Sequence, residues 1–320
     1  MQQPESLTAD TPQKRKQVRR IETSSMATMF FFAASANIIP VALVRISRDI
    51  GFSLTEAGLI SFLGSWLQFA ILLTSGILAS FFGKLRLIRI ALLGVALGLG
   101  LMAQSPSYVL FLSFALIMFL GHGVLEALLT PLVEDLHPGD QGTHMNLLHG
   151  FWPVGVLICV LGVGELLTRG VDWRIIFTVF GVVILALALL QPSGRGLTFP
   201  ASRRDFAHLR EILTTPHFWF MGLAMFFAGG SEGGFAFWSA SYVQLRFDAL
   251  PRAGAFGAGS FAFGMALGRF LISRISARFG LRKILETVTL LGVGLGGLFF
   301  LINDLPVLYL YMVIIGIIIA

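Results

Sequence analysis

The chain has 320 residues, of which 56% are hydrophobic and only 12% are charged. Soluble domains carry about 25% charged residues, so this composition excludes a soluble enzyme, a disordered chain and a fibrous protein, and the long unbroken apolar runs argue against an outer-membrane β-barrel. The net charge of +6 is interpreted as a sign of orientation in a membrane rather than of nucleic-acid binding.

Ten apolar runs are long enough to cross a bilayer, which needs about 20 apolar residues per helix. The first run follows a polar, basic leader over 1–24 and is too long for the apolar region of a cleaved signal peptide. We therefore predict an all-α integral membrane protein with about ten transmembrane helices. The predicted spans are 25–46, 54–80, 86–104, 107–133, 145–168, 173–190, 217–244, 253–273, 284–302 and 305–320.

The positions of the basic residues predict the orientation of these spans. If the N-terminus is cytoplasmic, most of the 23 Lys and Arg residues fall in loops on the inner side, as the positive-inside rule expects. We predict a multi-pass protein of the inner (cell) membrane with a cytoplasmic N-terminus. Its expected partners are a small-molecule substrate and the lipid bilayer, with no nucleic acid, and we expect a monomer.

The longest connection, 191–216, divides six spans from four. It begins with helix-breaking residues at 192–194 and continues with Phe206, Leu209 and Leu213 at helical spacing, which predicts a helix on the inner membrane surface. The last run ends at Ala320 without interfacial anchors, so we expect a fragment that lacks about two further spans. The predicted domains are a basic leader (1–24), a six-helix N-terminal bundle (25–190), a cytoplasmic linker (191–216) and an incomplete four-helix C-terminal bundle (217–320).

Two segments of the chain resemble each other. Residues 60–100 are echoed by 257–297 when Gly83 is matched to Gly280. Each segment leads from a span rich in small residues through a tight basic turn into a glycine-spaced span. This pattern indicates a parallel repeat of two half-domains, as in many transporters, although two unrelated helix pairs rich in Gly and Leu would also look alike.

The first of these basic turns carries a family motif. The segment GILASFFGKLR at 76–86 resembles the inner-loop signature of the major facilitator superfamily, Gly-x-Leu-Ala-Asp-Arg-x-Gly-Arg-Lys. Ser80 and Phe81 replace the Asp and Arg of that signature, and the second copy, SRISARFGLRK, also lacks the Asp. The resemblance implies the major facilitator fold and an inner-loop or gating role for the matching residues Gly76, Gly83, Lys84, Arg278 and Gly280.

A second stretch, 123–155, looks like spans four and five of the fucose-permease-like branch of that superfamily. The branch carries a membrane Glu with a Pro five residues later, and an Asn-Leu pair before an aromatic residue and Gly. The matching residues are Glu126, Pro131, Asn146 and Gly155. The resemblance implies proton-coupled uptake of a sugar or similar small polar solute. The branch has an acid in span one, where this chain has Asn37.

Two acidic residues, Glu126 and Glu232, lie deep in predicted spans. A charge at the bilayer centre costs about 2.5–3.5 kcal/mol on insertion scales, so such residues need a function or a partner. We predict that both couple proton movement to transport. His122 and Thr130 lie four residues before and after Glu126, which indicates a polar helix face. The alternative is a protonated Glu that only bonds a neighbouring helix.

Span five carries a possible sugar-binding face. Asn146, His149 and Trp152 follow one another at intervals of three residues, and Pro153 is expected to kink the helix. An aromatic face beside hydrogen-bonding groups suits a sugar ring, whereas an isolated Trp is often an interfacial anchor. The full predicted substrate-binding set is His122, Asn146, His149, Trp152, Asn37, Gln68 and Trp238.

Arg269 in span eight is interpreted as a gate or interface residue, with pairing to Glu232 as the alternative.

His122, His144 and His149 match no ligand motif, so we predict neither a metal site nor a cofactor, and the proton gradient is the expected driving force. The chain has no GxxxxGK[ST] loop for nucleotides. The favoured function is secondary active transport rather than enzymatic activity, and the rivals are a non-transporting membrane sensor or scaffold and a membrane-embedded enzyme.

Overall fold

The computed structural model describes residues 12–138, 142–194 and 209–320, with the backbone alone at 209–210, 212, 272–278 and 281. Within these residues the chain is helical and contains no strand. The described residues form ten long helices, one short helix and one 3-10 turn. The helices are α1 (Pro12–Ile50), α2 (Leu54–Phe82), α3 (Lys84–Met102), α4 (Tyr108–Leu136), α5 (Thr143–Thr168), α6 (Trp173–Leu190), α7 (Leu209–Thr214), α8 (Pro216–Arg246), α9 (Pro251–Phe279), α10 (Leu281–Gly296), the 3-10 turn (Gly297–Leu301) and α11 (Leu305–Ile319).

Polar side chains begin several of these helices. At the start of α2, the Ser53 amide donates to Glu56 Oε2 at 2.7 Å, while the Ser53 hydroxyl oxygen accepts from the Glu56 amide at 3.3 Å. This reciprocal pair is a capping box, which satisfies backbone amides that lack a partner inside the helix. Asp172 caps α6 and Asp304 caps α11 in a simpler form. Caps of this kind fix the residue at which each apolar helix begins.

The helices coincide in position with the predicted membrane spans. Among the residues that the structure describes, seven helical stretches are long and apolar enough to cross a membrane, namely α1 to α6 and Arg282–Leu301, and α11 is a shorter apolar helix. Helices α8 and α9, which match the predicted spans 217–244 and 253–273, are not among the seven. The main difference lies at the N-terminus, because α1 begins at Pro12 and not near residue 25. Proline is favoured at the first helical position, and the following Lys, Arg and Gln residues are good helix formers, so nothing in 13–24 stops the helix.

The predicted surface helix in the linker lies largely outside the described residues. Phe206 is not described, and Leu209 is described only as backbone. The structure does show α7, six residues long, directly before Pro216 begins α8. A helix along the inner membrane surface therefore stays a prediction.

The chain divides into two compact units. The first comprises the described parts of Met1–Ala36, Arg45–Gly155 and Val171–Arg204, and the second those of Asn37–Val44, Val156–Gly170 and Asp205–Ala320. In the first unit α4 packs against α2 and α3, and α3 packs against α6. In the second unit α9 packs against α8 and α11. Helices α1 and α5 contribute residues to both units, and the predicted division of the bundles within 191–216 stays a prediction.

The structure shows the same local geometry in both copies of the predicted repeat. Helices α2 and α9 are both 29 residues long, and each ends at one glycine from which the next helix starts. Gly83 has φ 80° and ψ 142°, and Gly280 has φ 78° and ψ 138°. A side chain is strongly disfavoured in this region of the backbone map. The repeated glycine therefore allows two long helices to be joined by a single residue in each copy.

Candidate functional site

The first unit contains a buried polar contact between α1 and α4. His122 is only 1% exposed, and its Nε2 lies 2.9 Å from Ser35 Oγ. The rings of Phe32 and Phe119 lie 5.0 Å and 5.9 Å from the imidazole between ring centres. His122 was predicted to bind substrate. The structure places it inside the helix packing, enclosed by two aromatic rings and one hydroxyl group.

A second polar contact joins α4 to α5. Thr130 Oγ1 lies 3.1 Å from His149 Nε2, and both side chains are accessible. Trp152, one turn further along α5, is half-buried and packs edge-on against Phe32 at 4.9 Å between ring centres. The structure thus brings together the two helix faces that were predicted to meet. It joins them through Thr130 and His149, with Trp152 supported from α1.

Glu126 and Asn146 each lie one helical turn before a residue of the Thr130–His149 contact. Glu126 is exposed, one turn before Thr130 on α4, and Asn146 is exposed, one turn before His149 on α5. Together the four residues form an accessible group of one acid and three further hydrogen-bonding side chains. We call Glu126, Thr130, Asn146 and His149 the α4–α5 polar face.

Two further predicted binding residues lie elsewhere. Gln68 is half-buried on α2, where its backbone carbonyl faces Gly123 of α4 so closely that a Cβ on that glycine would approach within 2.6 Å. Asn37 is half-buried on α1 and belongs to the second compact unit. The structure places neither of them within the α4–α5 polar face.

In the second unit, the other deep acid has a basic partner. Arg269 Nη2 on α9 lies 3.5 Å from Glu232 Oε1 on α8, and the two side chains are 53% and 41% exposed. The structure thus shows the pairing that was the alternative to a gate or interface position for Arg269. Trp238 is half-buried on α8, and its ring packs edge-on against Phe237 at 5.0 Å.

The inner-loop motif is tied to α4 by an ion pair. Lys84, the first residue of α3, places its Nζ 2.6 Å from Asp135 Oδ2 and donates to the carbonyl of Pro131 at 3.2 Å. Both charged side chains are 15% exposed. Gly76 faces open space, and Gly83 and Gly280 form the tight turns. The side chain of Arg278 lies outside the described part of the chain.

Sequence reasoning missed several of these partners. Asp135 lies one turn after Pro131 on α4. A helical projection of α4 places these two residues on the same face, and that pattern could have pointed to Asp135 as a partner of the inner-loop motif. Ser35 and Glu22 carry no signal, because each meets its partner from a distant part of the chain. Glu22 contacts His144 and His137 near the start of α5.

The comparisons with known proteins agree with this arrangement of helices. The family model of the Major Facilitator Superfamily matches residues 25–320. The chain belongs to the major facilitator superfamily. Its predicted fold class and multi-pass membrane character are thereby confirmed, whereas the inner membrane and the N-terminal orientation stay predictions.

Solved structures of other superfamily proteins share the fold. A bacterial homolog of the human lysosomal transporter Spinster, inward-facing and unoccupied, superposes with a TM-score of 0.73 at 18% identity, covering 97% of this chain and 74% of that one. The nucleoside transporter NupG gives 0.75 at 14% identity, covering 94% and 80%. The transporter FucP, in the outward conformation, gives 0.65 at 20% identity, covering 93% and 81%.

One curated protein is closer in sequence over part of the chain. A puromycin resistance protein from Streptomyces alboniger is 31% identical over 173 residues. That match covers 52% of this chain and 33% of the length of the resistance protein.

Proposed function

We propose that this major facilitator protein is a secondary active transporter of the inner membrane that moves a small polar solute, a sugar or a sugar-like molecule, together with protons by alternating access. The observation that carries the proposal is the α4–α5 polar face, where Thr130 contacts His149 one turn from the exposed Glu126. A charged or strongly polar group within a membrane span is costly unless it serves a solute or ion pathway.

The chemistry of this face suits a polyhydroxylated solute. Thr130 and His149 each offer a donor and an acceptor, and Asn146 offers both through its amide. Trp152 is held edge-on by Phe32, so its indole ring has a fixed orientation beside these groups. An aromatic plane next to hydrogen-bonding groups matches the apolar and hydroxyl faces of a sugar ring. The likeness to the fucose-permease-like branch over 123–155 supports the same substrate class.

Glu126 is the proposed proton carrier. Its carboxyl group is exposed on α4, so in a membrane its protonation follows the access of water to the polar face. Glu232 differs because Arg269 offsets its charge at 3.5 Å. We therefore assign net proton movement to Glu126 and a charge-pairing role to Glu232.

The test uses proteoliposomes that enclose a fluorescent pH indicator. Labelled monosaccharides, nucleosides and puromycin are added outside in turn, and solute uptake and luminal pH are both recorded. Symport acidifies the lumen because a proton enters with the solute. Uptake of none of these solutes, with binding of one of them retained, would contradict transport and favour the sensor or scaffold.

The match to the puromycin resistance protein favours one second candidate, which is proton-driven export of an organic molecule. An exporter that runs backwards in the same vesicles exchanges an entering solute for a leaving proton and makes the lumen alkaline. The sign of the luminal pH change therefore separates the two functions. Conversion of an added solute to a new compound would instead indicate the membrane-embedded enzyme.

Glu126→Gln is expected to abolish solute accumulation driven by a pH gradient. The variant should retain exchange of labelled for unlabelled solute, because exchange moves no net proton. Glu134→Gln is the matched control, since Glu134 is an exposed acid at the end of the same helix, and it should accumulate solute normally. Normal accumulation by Glu126→Gln would contradict the assignment and move it to Glu232.

A further inference from the structure

We infer that Glu22, His137 and His144 form a binding site for a divalent transition metal ion of the zinc class. Glu22 lies on α1, His137 directly follows α4, and His144 lies in the first turn of α5. All three side chains are half-buried, and one ligand atom from each lies within 4.8 Å of the others. The three segments belong to the first compact unit.

The distances are close to those of a metal shell. Glu22 Oε1 lies 2.5 Å from His144 Nδ1 and 3.6 Å from His137 Nε2. Zinc holds nitrogen and oxygen ligands at about 2.0–2.2 Å, so neighbouring ligand atoms in a tetrahedral shell are about 3.3 Å apart. The two distances lie on either side of that value, so the three ligand atoms are near enough to share one ion once the side chains are reoriented.

The two imidazole rings define the movement that is needed. They are stacked with their centres 3.5 Å apart and their planes within 3° of parallel. Lone pairs in parallel planes do not converge, so one ring must rotate before both can bind the same ion. The side chain of His144 is 35% exposed, so its imidazole is the ring that is more open to rotation.

The donor set selects the kind of ion. Two imidazoles and one carboxylate suit Zn²⁺, Ni²⁺, Co²⁺ or Cu²⁺, whereas Mg²⁺ and Ca²⁺ prefer shells made of oxygen. Three protein ligands leave a fourth position for water. The Glu22 carboxylate offsets part of the ionic charge. A bound ion would fasten the N-terminal part of α1 to the connection between α4 and α5, at residues that the proposed transport site does not use.

Calorimetric titration of zinc chloride into the full chain tests the site directly. The protein is purified in detergent through a tag without histidine and freed of metal with a chelator. We expect one zinc ion per chain, displaced by added protons because His and Glu must be deprotonated to bind, and not displaced by excess Mg²⁺. Glu22→Gln and His144→Ala should each weaken zinc binding at least about tenfold. Tenfold is the smaller end of the loss in metal affinity that is typical when a residue that only orients a metal ligand is replaced.

His217→Ala is the matched control, because His217 is exposed on α8 in the second unit and should not change the affinity. Thermal unfolding gives a second readout, since an ion that binds only the folded chain raises the unfolding temperature. Zinc should raise the unfolding temperature of the wild type and of His217→Ala but not that of His137→Gln. The His137→Gln variant also replaces His144→Ala in the binding test if His144→Ala fails to fold. No saturable binding to the wild type, or wild-type affinity in both Glu22→Gln and His137→Gln, would overturn the site.

Discussion

His122 and Ser35 form a hydrogen-bonding pair within largely apolar packing between α1 and α4. The Ser35 hydroxyl also lies 3.0 Å from the carbonyl of Phe32, to which it donates. Its oxygen can then accept from His122 Nε2, so the imidazole is expected to carry its proton on that nitrogen. The contact fixes both the ring orientation and the approach of the two helices.

Ser35→Ala should lower the stability of the protein by about 0.6 kcal/mol and by no more than about 1.7 kcal/mol, the average and the maximum measured for hydrogen bonds between helices in membranes. The measurement is thermal unfolding in detergent. Ser113→Ala is a fitting control because the Ser113 hydroxyl bonds only within its own helix, to the carbonyl of Val109. Equal unfolding temperatures for the two variants would show that the contact with His122 adds nothing.

The sequence predicted some of the site residues and not their partners. Thr130 and His149 were predicted to lie on polar faces of adjacent helices, because helical spacing determines which side chains share a face. The burial of His122 was not predictable in that way. His122 and Glu126 are one turn apart, yet His122 is 1% exposed and Glu126 is exposed, because α1 covers only the former through Ser35 and Phe32.

At the scale of helices, the most distinctive feature is the pair of single-residue turns at Gly83 and Gly280. A Cβ at either position would meet no atom within 4 Å, so only the backbone conformation demands glycine there. The spacing of the two glycines in the sequence predicted the repeat, but it did not reveal that one residue forms the whole connection. That detail depends on the φ angles of 80° and 78°.

Gly83→Ala and Gly280→Ala should each destabilise the protein by about 1–3 kcal/mol, the cost of holding a residue with a side chain in this conformation. Gly100→Ala and Gly294→Ala are the controls, since both lie inside helices with no atom within 4 Å of an added Cβ. They should leave stability unchanged or raise it by up to about 1 kcal/mol. A loss of stability in the controls as large as in the turns would refute the backbone explanation. Thermal unfolding measures all four.

The Lys84–Asp135 pair fastens the start of α3 to the end of α4. Asp135→Asn should cost about 1.5–3 kcal/mol, since it weakens a charged hydrogen bond that is 15% exposed on both sides. Exchanging the two residues, as Lys84→Asp with Asp135→Lys, should recover part of that loss. Arg282 and Glu286 on α10 form an i, i+4 pair that is 92% and 58% exposed, and Glu286→Gln should have little effect. Chemical unfolding in detergent measures each variant, and an equal loss in both pairs would contradict the role of burial.

For the whole molecule, composition and the long apolar runs predicted the architecture better than they predicted the function. Long apolar runs leave few alternatives to a helical membrane bundle, so the spans followed from residue type alone. The solute depends on a few side chains whose positions are set by packing between distant segments. Ser35 and Glu22 show how such packing works, because each meets its histidine partner from a distant part of the chain and neither stands out in the sequence.

The orientation can be tested with introduced cysteines. Cys159 is the only cysteine of the chain and is buried, so Cys159→Ser gives a background free of thiols. In that background Gln104→Cys should react with a membrane-impermeant maleimide in intact cells. Ser193→Cys should react only after permeabilisation, because a cytoplasmic N-terminus places the end of α6 inside. Both sites are exposed, so the reverse pattern would invert the topology.

Helix α1 extends beyond the predicted membrane span at its N-terminal end, so a small change in its tilt moves that end a long way. A helix rises about 1.5 Å per residue, so the part of α1 before residue 25 extends the predicted span by about 20 Å as a continuous rod that begins at Pro12. A change of about 20° in the tilt of this helix, a common tilt for a membrane span, would swing its basic tip by about 7 Å. A spin label or a fluorophore on Gln13 would therefore report small rotations of α1 as large displacements.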